Sequence, residues 1–120
     1  MATILVHVTN GPEHPTRAAL AFLVAKTAID EGHKVTMFLA GDAVQLMREG
    51  VLDNLVGLGT GSLREHYNAI AASGSKIYLS GMSCKARGLD PQALAGKPVE
   101  MAMPNVLVKL ALEHDRMFTY

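Results

Sequence analysis

The sequence has few of the features that mark secreted, membrane-spanning or disulfide-linked proteins. Cys84 is the only cysteine, so no disulfide can form within the chain. The longest uninterrupted apolar run, 18–25, has eight residues and is too short to cross a membrane. The N-terminus has neither the basic segment nor the cleavage site of a signal peptide. We therefore expect a cytoplasmic protein.

An excess of charge of either sign is also missing. The chain has 11 basic and 11 acidic residues and no block of like charge, which argues against nucleic acid or a membrane surface as the main partner. Small molecules and other proteins remain. A content of 49% hydrophobic and 18% charged residues in 120 residues is typical of a globular chain, and we expect one domain over 1–120.

Known metal, phosphate and nucleotide motifs are absent. Five histidines are scattered without the spacing of a local metal site, and there is no second cysteine, so we expect neither a metal nor a cofactor. The histidines are His7, His14, His33, His66 and His114. The glycine-rich stretch 57–62 lacks the third glycine of a dinucleotide loop and the lysine of a P-loop. A Cys-x5-Arg phosphatase loop would need arginine where Asp90 stands.

Strand-like and helix-like segments alternate along the chain. The predicted strands are 3–8, 34–40, 75–80, 99–103 and 116–120. The predicted helices are 16–30, 42–49 with Asp42 as cap and Gly50 at its end, 62–72 with Ser62 as cap, a short one from Pro91 with Asp90 as cap, and 105–114. This alternation predicts an α/β fold, a three-layer α/β/α sandwich with a mainly parallel sheet.

Two of these helices are unusually apolar. The run 18–25 covers more than two turns without a polar residue, and the last helix has only a narrow polar stripe of Asn105, Lys109 and Glu113. A helix packed only on its own sheet normally keeps a polar outer face. We therefore expect one or both helices to bury surface against another subunit, although small alanines are also tolerated at a surface.

Cys84 is the one candidate nucleophile. A predicted strand leads directly into its glycine-flanked loop, where Ser83, Lys85 and Arg87 are close in sequence. Nearby cations lower the pKa of a thiol, so a reactive thiolate is expected here. The alternative is a buried and inert cysteine, which is common.

The carboxyl ends of parallel strands meet at one edge of a sheet, which is where ligands bind in such folds. This rule predicts that the loops 9–15, 41–42, 81–88 and 104–105 converge near Cys84. Asn10, His14 and Asn105 are then expected as neighbours of the thiol. His14 could move a proton there, although most histidines at such positions are simply polar loop residues.

Three segments in this order, 4–13, 35–42 and 84–89, together with the alanine-rich helix, resemble the DsrE/DsrF-like family of small sulfur-relay proteins. The resemblance covers nearly the whole chain. It implies a three-layer fold around a five-stranded, mainly parallel sheet, assembled as trimers or hexamers. Sulfur-carrying members hold sulfane sulfur on a cysteine of this loop, which corresponds to Cys84. Some relatives have another cysteine three residues earlier, where this chain has Gly81.

These observations give a leading hypothesis and two rivals. The leading one is a sulfur carrier or sulfurtransferase-like protein that accepts sulfane sulfur as a persulfide on Cys84. It would take the sulfur from a donor protein and pass it to an acceptor protein, with Lys85 and Arg87 stabilising the thiolate. The first rival is a noncatalytic oligomer that binds a small ligand or acts as a scaffold. A redox sensor ranks last because the chain has no resolving cysteine.

Overall fold

The computed structural model describes every residue from Met1 to Tyr120. The strands are β1 (Thr3–Val8), β2 (Lys34–Leu39), β3 (Val56–Gly57), β4 (Gly61–Ser62), β5 (Lys76–Ser80), β6 (Val99–Ala102) and β7 (Arg116–Thr119). The α-helices are α1 (Pro15–Asp30), α2 (Glu49–Asn54), α3 (Leu63–Ala72), α4 (Gly81–Ala86) and α5 (Pro104–Glu113). Short 3-10 helices cover Gly41–Met47 and Pro91–Leu94.

Five strands form one sheet in the order β6-β5-β2-β1-β7, and every neighbouring pair is parallel. The predicted mainly parallel, five-stranded α/β fold is therefore confirmed. β3 and β4 form a separate two-stranded antiparallel hairpin. Because all five strands run the same way, their carboxyl ends lie along a single edge of the sheet. No helix is both long and apolar enough to cross a membrane.

The main core lies on one side of the sheet, which we call the core face. Alternate residues of β1 point there, and Ile4, Val6 and Val8 are all buried in the same cluster as Phe22 of α1 and Ile70 of α3. This alternation follows from the two-residue repeat of a strand. The opposite side, which we call the outer face, carries the residues at the intervening positions.

Most of the apolar run of α1 is buried within the chain. Ala18, Ala19, Ala21, Phe22 and Ala25 have no exposed surface. Besides the sheet, α1 contacts α3 and the hairpin β3–β4, so its other side is also covered. The small alanines allow this close approach from two directions. Leu20, Leu23 and Val24 of the same run stay partly exposed, so both α1 and α5 remain candidates for a subunit interface.

The region after β2 differs from the predicted helix 42–49. A 3-10 helix ends at Met47, Arg48 is extended (φ −71, ψ 136), and α2 begins at Glu49, so Gly50 lies inside a helix rather than ending one. Asp42 does not cap this segment. Ala43, Val44, Leu46 and Met47 are buried. The three-residue spacing of these apolar side chains suits the three residues per turn of a 3-10 helix.

On the outer face only α5 packs against the sheet. The groove between them is lined by Tyr78, Glu100 and Ala102 from the strands and by Val106 and Leu110 from the helix, among others. No residue of α5 is buried. Val108 is 59% exposed and Leu112 is 83% exposed. The apolar surface of α5 is therefore only partly covered by the sheet, and the rest of it can pack against another surface.

Candidate functional site

Cys84 lies at the carboxyl edge of the sheet, in the helix that follows β5 without an intervening loop. The Ser80 side chain caps α4 by accepting a hydrogen bond of 3.2 Å from the backbone N–H of Ser83. Cys84 is the fourth residue of this short helix. The predicted position at a strand end is therefore observed, and the predicted loop around the thiol is a short helix.

Two sets of contacts fix α4 against the 3-10 helix 41–47. At the start of α4, Ser83 Oγ accepts a hydrogen bond from the Gly41 N–H at 2.8 Å and donates one to Ser80 Oγ at 3.0 Å. At its end, the Arg87 guanidinium forms an ion pair with Asp42 at 2.9 Å. The expected convergence of these two loops is thus present. The backbone around Cys84 is held at both ends.

A cavity of about 390 Å³ lies directly against Cys84. Its lining residues are Gly81, Cys84, Lys85, Gly88, Leu89, Asp90, Pro91 and Met101. The Cys84 side chain has no exposed surface, so it lies beneath the cavity wall and not at the protein surface. The small glycines on both sides of Cys84 help to leave this space open. Cys84 therefore borders an open space, although solvent does not reach its side chain.

The electrostatic environment of Cys84 corrects the expectation from the sequence. Burial raises the pKa of the thiol, and the positive charges of Arg48 and Arg87 oppose this without reversing it. The predicted lowering of the pKa is therefore wrong in direction for the isolated chain. Lys85 does not contribute to this pKa shift. The two cations that act on the thiol are Arg48 and Arg87.

Sequence reasoning missed Arg48. Its guanidinium donates a hydrogen bond of 2.7 Å to the carbonyl oxygen of Arg87, the residue directly after α4, and another to the side chain of Gln45. Arg48 is far from Cys84 in sequence and belongs to no recognisable motif. The only signal is its position directly after a buried apolar segment that follows a strand of the sheet.

The other expected neighbours do not line the Cys84 cavity. Asn10 and His14 are absent from its wall, and neither side chain makes a hydrogen bond or ion pair within the chain. Their loop is nevertheless at the same edge, because a Cβ atom at Gly11 would lie 2.1 Å from the backbone oxygen of Asp42. Asn105 lines the groove on the outer face instead.

Comparison with known proteins identifies the family to which this chain belongs. A sequence profile described as the DsrE/DsrF-like family matches residues 2–120. The chain belongs to the DsrE/DsrF-like family. Membership connects the chain with sulfur relay at the level of the family.

Two solved structures share the DsrE/DsrF-like fold of this chain. The YchN protein of E. coli is 19% identical with a TM-score of 0.83, and 100% of each chain is covered. The protein of unknown function MTH1491 from Methanobacterium thermoautotrophicum is 11% identical with a TM-score of 0.69, again over 100% of each chain. At these identities the likeness establishes the fold alone. No curated protein matches this sequence.

The candidate site of this chain consists of one thiol, its cavity and two guanidinium groups. No three side chains of the His, Cys, Asp or Glu type lie together in a way that could hold a metal ion. Ser83, Arg87 and Arg48 position the helix that carries Cys84, and Lys85 lines the cavity. Chemically, this arrangement can support nucleophilic attack by the thiolate or the binding of a small ligand over the thiol.

Proposed function

We propose that this protein is a sulfur carrier, which accepts sulfane sulfur on Cys84 as a persulfide and passes it to a partner protein. The observation that carries the proposal is the position of Cys84. The only thiol of the chain lies against a cavity of about 390 Å³ at the carboxyl edge of the sheet, near two guanidinium groups. Family membership supports the same reading at a coarser level.

The transfer needs no oxidant, reductant or metal. The Cys84 thiolate attacks the outer sulfur of a donor persulfide, R–S–SH. The donor S–S bond breaks, a new S–S bond to Cys84 forms, and the donor leaves as the thiolate R–S⁻. In the second step an acceptor cysteine thiolate attacks the outer sulfur of the Cys84 persulfide, and the Cys84 thiolate leaves. Each step conserves atoms and electrons, so one cysteine is sufficient.

The charges around Cys84 suit both steps. Each step has a thiolate at position 84, as nucleophile in the first and as leaving group in the second. Arg48 and Arg87 stabilise that anion against the penalty of burial. The attached sulfur would extend into the cavity between Gly81 and Gly88.

The test of the proposal is intact-mass spectrometry after incubation with a low-molecular-weight persulfide. Wild-type protein is expected to gain the mass of one sulfur atom, and treatment with a reducing agent should remove it. Cys84→Ser should gain nothing, while Ser75→Ala, a change at a surface serine away from the site, should load like wild type. Equal loading of wild type and Cys84→Ser, or no loading of either, overturns the proposal.

A second candidate is a binding module in which Cys84 only lines the cavity. The raised pKa of the buried thiol favours it, because a thiol that stays protonated is a poor nucleophile. Titration of Cys84 in the assembled protein separates the two candidates. A pKa below the ordinary thiol value supports the carrier, and a raised value together with failure to load sulfur supports the binding module.

We further infer that the working form is a homo-oligomer in which a second copy covers α5 and the outer face. Three exposed apolar side chains support this: Val108 and Leu112 on the helix and Met117 on β7. Family resemblance favours trimers or hexamers. The donor and acceptor proteins, and the cytoplasmic location, stay predictions.

A further inference from the structure

A second cavity lies beside the thiol site but opens separately. This cleft has a volume of about 510 Å³ and is lined by Arg48, Glu49, Gln92, Ala93, Ala95 and Lys97. The 3-10 helix Pro91–Leu94 separates it from the Cys84 cavity, since Pro91 lines the cavity and Gln92 lines the cleft. No aromatic side chain lines the cleft, and four of its six lining residues are polar or charged.

The charges around the cleft do not balance. The Lys97 side chain is only 6% exposed and forms an ion pair of 2.7 Å with Glu49. Glu49 also binds Arg64, which in turn pairs with Asp53 at 2.8 Å. The two carboxylates, of Glu49 and Asp53, thus neutralise the charges of Lys97 and Arg64. Arg48 forms no ion pair, so one positive charge remains uncompensated.

One nitrogen atom of the Arg48 guanidinium has no hydrogen-bond partner in the chain and can bind a ligand. Its Nε donates to the side chain of Gln45 and its Nη2 to the carbonyl oxygen of Arg87, both neutral acceptors. Its Nη1 makes no hydrogen bond within the chain. These two contacts fix the plane of a half-buried guanidinium at the wall of the cleft. A fixed cation that lacks a negative partner favours the binding of an anion.

We propose that this cleft binds a small oxyanion, held by the Arg48 guanidinium through Nη1, while the ion pair with Lys97 neutralises the Glu49 carboxylate in the cleft wall. Free phosphate or sulfate and the carboxylate of a small metabolite share the required chemistry. The proposal does not depend on the sulfur-carrier function, because binding can be measured without any sulfur chemistry. It does predict a link to the thiol site: Arg48 acts on Cys84, so an anion at Arg48 should make the thiol less reactive.

The direct test is a titration of ¹⁵N-labelled full-length protein with inorganic phosphate, followed by amide chemical shifts. Potassium chloride at the same ionic strength is the reference. We expect saturable shifts at the residues of the cleft, and binding about tenfold weaker in Arg48→Gln. Lys26→Gln, which removes an exposed lysine elsewhere, should bind like wild type. Parallel titrations with sulfate and acetate distinguish a tetrahedral oxyanion from a carboxylate.

A second variant and a second readout complete the test. Lys97→Met keeps the buried aliphatic stem but removes the charge that neutralises Glu49 in the cleft wall, so it should also weaken anion binding by about tenfold. Phosphate should slow alkylation of Cys84 in wild type but not in Arg48→Gln. Shifts that do not saturate, shifts that chloride reproduces, or unchanged phosphate affinity in both variants would overturn the proposal, whatever the result of the persulfide assay.

Discussion

At the scale of single residues, the state of Cys84 depends on two opposing effects. Burial favours the neutral thiol, whereas the charges of Arg48 and Arg87 favour the thiolate. Lys85 is nearer in sequence than either but does not enter this balance. Sequence distance is therefore a poor guide to which cation acts on the sulfur.

This balance predicts different effects of two neighbouring substitutions. Arg87→Gln should slow alkylation of Cys84 at neutral pH by roughly threefold, because its half-exposed guanidinium contributes a screened charge. Lys85→Gln should leave the rate unchanged. Asp42→Asn is the matched control: it removes the ion-pair partner of Arg87 but keeps the guanidinium charge, so the rate should not fall. A larger loss in Lys85→Gln than in Arg87→Gln would contradict this account.

His7 should make stability depend on pH. Burial beside Phe38 lowers the pKa of His7 from its ordinary value of 6.5. As the pH falls below 6.5, His7 of the unfolded chain binds a proton, whereas His7 of the native chain stays neutral. The free energy of unfolding therefore decreases as the pH falls. The melting temperature of wild type should therefore fall more between about pH 7.5 and about pH 5.5 than that of His7→Phe.

His14→Gln is the control for His7, because His14 is an exposed loop residue. It should keep the full wild-type pH difference. Equal pH dependence of wild type and His7→Phe would contradict a native pKa below that of the unfolded chain.

At the scale of elements, the hairpin β3–β4 depends on a glycine. A Cβ atom at Gly57 would lie 1.8 Å from Thr60 Oγ1, 2.9 Å from Ala19 Cβ and 3.2 Å from Thr16 Cα. Gly57→Ala should therefore lower the free energy of unfolding by about 2 kcal/mol, because the hairpin must move away from α1. Gly50→Ala is the control, since a Cβ atom there meets nothing within 4 Å and Gly50 lies inside α2.

Chemical denaturation measures both variants. Gly50→Ala should be neutral or stabilising by up to about 1 kcal/mol, because alanine favours a helix over glycine. A Gly57→Ala variant as stable as Gly50→Ala would show that the hairpin tolerates a side chain against α1.

Elements fixed by local chemistry could be predicted from the sequence. Ser62 accepts from the Glu65 N–H and Asp90 from the Ala93 N–H, as their capping patterns indicate. All five strands of the sheet were predictable from their apolar runs and flanking turns. The segment 41–54 was not, because the choice between a 3-10 helix and an α-helix depends on which side chains the sheet buries. Arg48 was missed for a similar reason: its role depends on distant contacts.

At the scale of the whole molecule, α5 carries Leu112, the most exposed large apolar side chain of any helix. If a second copy covers it, Leu112→Glu should dissociate the assembly into monomers, because a carboxylate would then be buried in an apolar contact. Leu58→Glu is a matched control: Leu58 is 90% exposed, on the turn between β3 and β4. It should keep the wild-type mass in analytical ultracentrifugation. A monomeric wild type would contradict the oligomer.

The most direct test of the central claim is a complete relay followed in one sample. Wild-type protein is loaded with a persulfide, separated from the donor, and mixed with a peptide that contains one cysteine. Intact-mass spectrometry should show one sulfur atom leaving the protein and appearing on the peptide, with Cys84→Ser inactive throughout. A protein that never takes up the sulfur, or that takes it up and does not release it to the peptide thiol, would contradict a carrier role for Cys84.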